Sequence, residues 1–271
     1  MLAVRHSVVD GLFYPADREV LRARIEQYVA DAAVQDDAGT HPVPKLLISP
    51  HAGYEYSGCV AAHAYAQLLR PHETRIRRVV LIGPAHRVPV RGLALPAVDA
   101  FETPLGQVRL DARALDELDT LGAQVVRSNH AHEHEHSLEV QLPFLQTLLG
   151  RFTLVPLVAG FDAQAVALAI ERLWGTAETL IVVSSDLSHY LRYEQAQAVD
   201  RATVERILRL DADIQPHEAC GAGAINGALT VARHHGLTAR LLDLRNSGDT
   251  GGERHRVVGY AALAFEERAH Q

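Results

Sequence analysis

Three apolar runs in this 271-residue chain end alike, and each is followed by a histidine. Leu46-Leu47-Ile48 leads into Ser49-Pro50-His51, Val79-Val80-Leu81-Ile82 into Gly83-Pro84-Ala85-His86, and Leu180-Ile181-Val182-Val183 into Ser184-Ser185-Asp186-Leu187-Ser188-His189. Imidazole is the commonest neutral metal ligand and titrates near neutrality, so these positions suit metal binding or proton transfer. Two imidazoles with a carboxylate form a facial site with open positions, the arrangement of non-haem Fe(II). His51 and His86 are the better ligand pair, because each stands close to its strand end beside a proline. His189 lies further along, placed to act as acid or base, with Asp186 orienting it or binding substrate. The candidate third ligand is Asp249, in Asn246-Ser247-Gly248-Asp249-Thr250-Gly251-Gly252-Glu253, with Glu253 second.

A lone histidine after a strand is more often a hydrogen-bonded loop residue than a ligand. Three at equivalent positions argue for a shared cleft, provided their strands are parallel neighbours, because ligands of open α/β folds bind outside the carboxyl ends of the strands. The remaining pattern agrees with that class. Further apolar runs occur at Leu154–Val158, Leu241–Leu244 and Val257–Phe265. Helical patterns run from Asp17 to Ala33 (Val20, Leu21, Ile25 and Val29 on one face), through Leu142, Leu145 and Leu148, from Ala163 to Trp174, and from Glu218 to His235. Short aliphatic runs separated by helices predict strands buried on both faces, in a mostly parallel or mixed sheet covered by helices. Gly92–Leu95 and Gln107–Leu110 are expected to form a β hairpin around Thr103-Pro104-Leu105-Gly106. A surface loop is expected at Asp36–Pro44, and a break at Pro71. The reading is one α/β domain over residues 1–271, with a strand order that periodicity does not reveal.

Two other features compete for attention. His130-Ala131-His132-Glu133-His134-Glu135-His136 resembles a metal tract, yet a solvated loop with adventitious affinity for Ni or Zn explains it better. Only Glu135 and His136, abutting Ser137-Leu138-Glu139, are placed for a cleft-facing role. Cys220-Gly221-Ala222-Gly223 follows no apolar strand, so it is no dinucleotide fingerprint. Cys220 is a candidate nucleophile at a helix start, where a thiol pKa is lowered, against the default of a buried structural cysteine. Cys59 is expected in the core. Tyr54, His136, Ser185 and Cys220 are the candidate substrate contacts.

Composition narrows the classes. With 48% hydrophobic and 22% charged residues the chain is globular. A net charge of -7 argues against nucleic acid, and no apolar run approaches the length that spans a bilayer. The start, Met1-Leu2-Ala3-Val4-Arg5-His6, lacks the pattern of a secretory signal, and two cysteines make no disulfide framework. A cytoplasmic protein with free thiols is expected.

Taken together the motifs resemble the Memo-like family, also called AmmeMemoRadiSam system protein B. The resemblance rests on Pro50-His51-Ala52-Gly53-Tyr54, Tyr56-Ser57-Gly58, Gly83-Pro84-Ala85-His86, Thr103-Pro104-Leu105-Gly106 and Glu135-His136-Ser137-Leu138-Glu139. It continues through Ser184-Ser185-Asp186-Leu187-Ser188-His189-Tyr190, Cys220-Gly221, Asn246-Ser247-Gly248-Asp249 and Val258-Gly259-Tyr260-Ala261-Ala262, so nearly the whole chain takes part. It implies a fold similar to class III extradiol dioxygenases, in the phosphorylase/hydrolase-like α/β group, which are non-haem iron enzymes. On that analogy His51 and His86 match the metal ligands and His189 the catalytic histidine. The dioxygenases supply a Glu as third ligand and animal Memo proteins a Cys, at a place matched here to Thr250 beside Asp249. Animal relatives are described as signalling proteins that bind phosphotyrosine peptides and metal ions. Microbial relatives go with a radical-SAM protein and an AMMECR-type protein.

Three functions follow as expectations. The first is a redox or dioxygenase-type enzyme using Fe(II) or copper at His51 and His86. The second is a non-catalytic protein, with or without metal, using the same cleft for a peptide or small acidic ligand. The third is a metal-free hydrolase or carbon–carbon lyase using His189 with Asp186.

Overall fold

The aliphatic runs become the centre of one large sheet, whose order brings distant parts of the chain together. The computed structural model describes residues 2–35, 41–69 and 76–267. Its strands are β1 (Val4–Arg5), β2 (Leu46–Ser49), β3 (Arg78–Pro84), β4 (Leu93–Leu95), β5 (Ala100–Thr103), β6 (Gly106–Arg109), β7 (Val125–Arg127), β8 (Thr153–Ala159), β9 (Thr179–Ser184), β10 (His189–Leu191), β11 (Thr238–Asn246) and β12 (Val257–Glu266). The large sheet runs β10-β12-β2-β9-β3-β8-β4-β7, with β11 also paired to β12. Its middle, β2-β9-β3-β8, is parallel. Antiparallel pairs flank it, β12 on β2 and β4 on β8, so the sheet is mixed. Every residue of β2 and β9 is buried, as strands covered on both faces require.

Helices close over the sheet where their apolar stripes dictate. Helix Arg18–Gln35 starts where Asp17 Oδ1 accepts the N–H groups of Glu19 and Val20 at 3.0 and 2.9 Å. Leu21, Ile25, Val29 and Ala32 are its buried stripe, whereas Val20, expected on that face, is 52% exposed. Helix Ala163–Leu173, capped by Asp162, packs against helix Ala222–His234. Among the described residues no helix is long and apolar enough to cross a membrane.

The structure corrects three local expectations. β4 joins β8 in the large sheet, and the hairpin is β5–β6 turning at Pro104-Leu105, with β1 alongside β5. The helix expected from Glu218 begins only at Ala222, because Cys220 N–H donates to the Asp186 carbonyl and Gly221 N–H to Ser185 Oγ. The His130–His136 tract is not simply a loop: Asn129–Glu133 is helical and His132 is buried. Residues 36–40 of the expected loop, and the break at Pro71, lie outside the described residues.

A buried ion pair ties the amino-terminal segment to the segment that carries Glu135 and His136. Glu139 accepts from the Arg5 guanidinium, from Val8 and Val9 N–H and from the Tyr14 hydroxyl, while Arg5 Nη2 donates to the Glu135 carbonyl at 2.6 Å. A buried carboxylate is tolerated when its acceptor positions are filled in this way.

Candidate metal centre

Because β2, β9 and β3 are parallel neighbours, the segments leaving their carboxyl ends meet. The rings of His51 and His86 come within 5.2 Å, and His136 lies 4.7 Å from His86 and 5.6 Å from His51. His189 opens β10, just after β9, and pairs with Val258 of β12 at the same end of the sheet.

Hydrogen bonds decide which nitrogen each imidazole offers. His51 Nδ1 is 2.9 Å from Ser184 Oγ. That hydroxyl spends its single proton on the Ser137 carbonyl at 2.6 Å and accepts from Gln141 Nε2 at 2.8 Å. His51 Nδ1 must therefore be the donor, which leaves the Nε2 lone pair free. Gln141 is itself pinned, its Oε1 accepting from Tyr65 and its Nε2 donating to the Pro50 carbonyl. His51 N–H donates to Asp186 Oδ1 at 2.7 Å, which fixes the turn after β2. Burial, and next the neighbouring His86, hold the His51 pKa well below its ordinary value, so the ring is neutral.

His86 is held differently. Glu135 accepts its backbone N–H at 2.6 Å, its Nδ1–H at 2.9 Å and the Ser137 N–H at 2.9 Å. Burial alone would raise the Glu135 pKa, but these donors, His86 foremost, bring it down to about 2. A carboxylate on Nδ1 orients the ring and makes Nε2 the more basic donor. The approach of Ser137 depends on Gly83, where a Cβ would meet Ser137 Oγ at 2.6 Å. His189 Nδ1 donates to the Leu187 carbonyl at 2.8 Å, so its free nitrogen is also Nε2.

The third candidate donor is sulfur. Cys220 Sγ lies 3.4 Å from His51 Nε2, and one ring nitrogen each of His51 and His86 together with Sγ fall within 4.8 Å of one another. Cys220 reaches this point because Gly221 packs against Ser185, with no room for a Cβ: it would stand 2.7 Å from Ser185 Cβ. Burial, and then the Asp186 carboxylate, push the thiol pKa up to about 12, overturning the expectation of a lowered thiol at a helix start. Asp186 is itself raised to about 6 by burial, against the pull of the His51 N–H and of His189. Two imidazoles and a thiol at the edge of the cleft, with the Glu135 and Asp186 carboxylates beside them, fit a soft or borderline cation, which would take the place of the thiol proton.

Comparison with known proteins agrees with this architecture. Residues 5–264 match the family model described as Memo-like protein. The chain belongs to the Memo-like family. MEMO1 family proteins of Methanopyrus kandleri, Ignicoccus hospitalis and Aquifex aeolicus are 35%, 36% and 33% identical to it, over 96–97% of this chain and 98–100% of theirs. The crystal structure of an uncharacterized protein from Escherichia coli K12 is similar in fold, with a TM-score of 0.50 and 11% identity, covering 82% of this chain and 100% of that one.

For a Memo-like chain the expected ligands divide clearly. The structure brings His51, His86, His136, His189, Asp186, Ser185 and Cys220 to one end of the sheet; Asp249 follows β11 at that same end but does not join the histidines. The Asp249 carboxylate is occupied in a capping box with Asn246 and by the Tyr193 hydroxyl, and it belongs to no metal-competent group among the described residues. Glu253 pairs with His255 on the surface, 83% exposed. The candidate for the third position, sought after β11, stands instead just before helix Ala222–His234, at Cys220. Tyr54, expected to touch substrate, is turned into the core, its hydroxyl donating to the Val140 carbonyl at 2.8 Å and its ring packed on Phe144. Ser185 holds Gly221 N–H and so positions Cys220. Cys59, expected in the core, is only partly buried. Beside the centre lies a cavity of about 350 Å³, lined by His86 and Cys220 and by Pro89, Val90, Phe161 and Pro216. None of its lining residues is Asp, Glu, Lys or Arg.

Proposed function

We propose that this Memo-like protein is a non-haem oxidoreductase of the dioxygenase type, holding iron(II) or copper on His51, His86 and Cys220. The observation that carries the reading is the convergence of two ring nitrogens and Cys220 Sγ within 4.8 Å, with Nδ1 of each histidine already committed elsewhere. Such a metal supplies a Lewis acid and a one-electron redox centre with open positions. The chain does the rest. Cys220 gives up its thiol proton on binding, and Ser184 and Glu135 keep both rings aimed. His189, its Nδ1–H held by the Leu187 carbonyl, takes a proton from substrate on Nε2. The cavity, with no Asp, Glu, Lys or Arg in its lining, receives an apolar part of a small molecule. Work alongside radical-SAM and AMMECR-type proteins, in the cytoplasm, belongs to the same proposal and rests on the family resemblance alone.

Anaerobic titration with Fe(II) and with Cu(I) tests it. One ion per chain is expected in the wild type, none in His51→Ala/His86→Ala, and weakened binding in Cys220→Ser. An unchanged stoichiometry in the double variant would sink the site. Oxygen uptake with catechol-type substrates is the second measurement; metal binding without uptake would leave a binding protein.

A further inference from the structure

A second group of ligating side chains lies far from the strand-end cleft. Helix Ala163–Leu173 carries Glu171 in its last turn, helix Ala222–His234 ends on His234, and His235 caps it. Glu171 Oε1 is 2.6 Å from His234 Nδ1 and Glu171 Oε2 is 3.0 Å from His235 Nε2. One ligand atom from each of the three lies within 4.8 Å of the others. The His235 ring is flat against Trp174, with centroids 3.9 Å apart and planes 11° apart, so its direction is held. Lys45 Nζ sits 4.9 Å over the same indole. Lys45 directly precedes β2 whereas His51 follows it, so the two groups occupy opposite ends of that strand.

Three features suit this cluster to a cation. Two helix carboxyl ends converge there, and the carbonyl ends of helices carry partial negative charge. Among the described residues the Glu171 carboxylate pairs only with the two imidazoles. The donors are open to solvent, with His234 at 72%, Glu171 at 33% and His235 at 28% exposure, so an ion can enter without unfolding.

We propose that Glu171, His234 and His235 form a second divalent-cation site, for Zn(II) or a similar borderline first-row ion, linking the carboxyl ends of two packed helices. Two imidazoles and a carboxylate are a donor set for such ions, with water completing the shell. The hydrogen-bonded nitrogens release their protons to the other ring position or to solvent as the metal binds. The site reaches the first centre mechanically: the helix that ends on His234 begins just after Cys220-Gly221, so a cation at its far end steadies the element that presents the thiol.

The chain supplies its own reporter, because its one tryptophan is the residue stacked on His235. Metal-stripped full-length protein is titrated with Cu(II), a paramagnetic quencher, while Trp174 emission is followed. Saturable quenching is expected, blocked by prior Zn(II), retained in His51→Ala/His86→Ala, and shifted at least about 10-fold to higher copper in Glu171→Gln/His234→Ala. Zn(II) is also expected to raise the melting temperature of the wild type and not of the Glu171→Gln/His234→Ala variant. An emission that ignores copper, or a variant that titrates like the wild type, overturns the site and leaves Glu171 as a hydrogen-bonded staple between helices. Loss of quenching in His51→Ala/His86→Ala overturns it as well, since the signal would then belong to the first centre.

Discussion

His51 and His132 are buried to the same depth, 1% and 2% exposed, yet they do opposite things with that burial. Desolvation lowers the pKa of both, His132 to about 4. His51 gives its Nδ1–H to Ser184 and turns a free Nε2 toward Cys220 and His86. His132 gives its Nε2–H to the Ala94 carbonyl at 2.9 Å, and its Nδ1 faces the core with no hydrogen-bond partner. Burial and residue type are shared, so neither marks function. What differs is the direction of the lone pair, and that is set by which neighbour takes the proton on the other nitrogen.

The contrast breaks most severely if the aim of the cleft imidazoles is lost at Glu135. Three N–H groups converge on this carboxylate, and in Glu135→Gln one oxygen becomes an amide that faces donors with donors. The cost expected is about 3–5 kcal/mol in chemical denaturation, in the range of a broken buried ionic network. In whatever fraction folds, metal affinity should fall roughly 10–100-fold. Wild-type affinity in a folded Glu135→Gln variant would mean that His86 needs no orienting partner.

The second prediction sharpens the other side of the comparison. Burial lowers the His132 pKa from the ordinary 6.5 to about 4. Between those values the unfolded chain binds a proton that the folded chain refuses, so the stability contributed by a neutral His132 is complete above pH 6.5 and is lost as pH falls toward 4. The loss amounts to about 3 kcal/mol across that window. Asp200, raised to about 6 by burial, works in the reverse sense over part of the range, so the informative quantity is the difference between wild type and His132→Leu. That difference should narrow in favour of the variant on acidification. A difference that stays constant with pH would show that His132 is not held neutral.

Much of this arrangement was legible in the chain and some was not, for physical reasons. The three strand-end histidines were legible because strands buried on both faces must be continuously apolar, and the small and proline residues after them mark where each strand stops. Their convergence needed the order β2-β9-β3, which depends on pairings between segments more than one hundred residues apart, Ile48 with Val183 for example. The sequence pattern places a third donor after β11, at Asp249, because the other candidate ligands follow strands. Cys220 follows none; it is delivered by backbone bonds to Ser185 and Asp186 and by a glycine small enough to permit them. The Cys220-Gly221 pair was the available signal. Val20 was misplaced on the buried face of its helix because one residue of angular error suffices to move a side chain from the edge of a stripe to solvent.

The gentlest test of the comparison is Ser184→Ala, which removes one oxygen from beneath His51. Gln141 and the Ser137 carbonyl lose a partner as well, so about 1–2 kcal/mol of stability should go. The sharper readout is the tautomer. Nitrogen NMR of the wild-type apoprotein should find His51 with the proton on Nδ1, because Ser184 Oγ has no proton to give the ring. Without that acceptor the Nε2–H form, able to donate toward Cys220 Sγ 3.4 Å away, becomes competitive. Metal then has to displace a ring proton as well as the thiol proton, and binding should weaken by roughly 10-fold, with a steeper pH dependence. If His51 keeps its proton on Nδ1 in Ser184→Ala, the lone pair is aimed by something other than the Gln141–Ser184 chain, and the difference between His51 and His132 would have to be sought in the cavity itself.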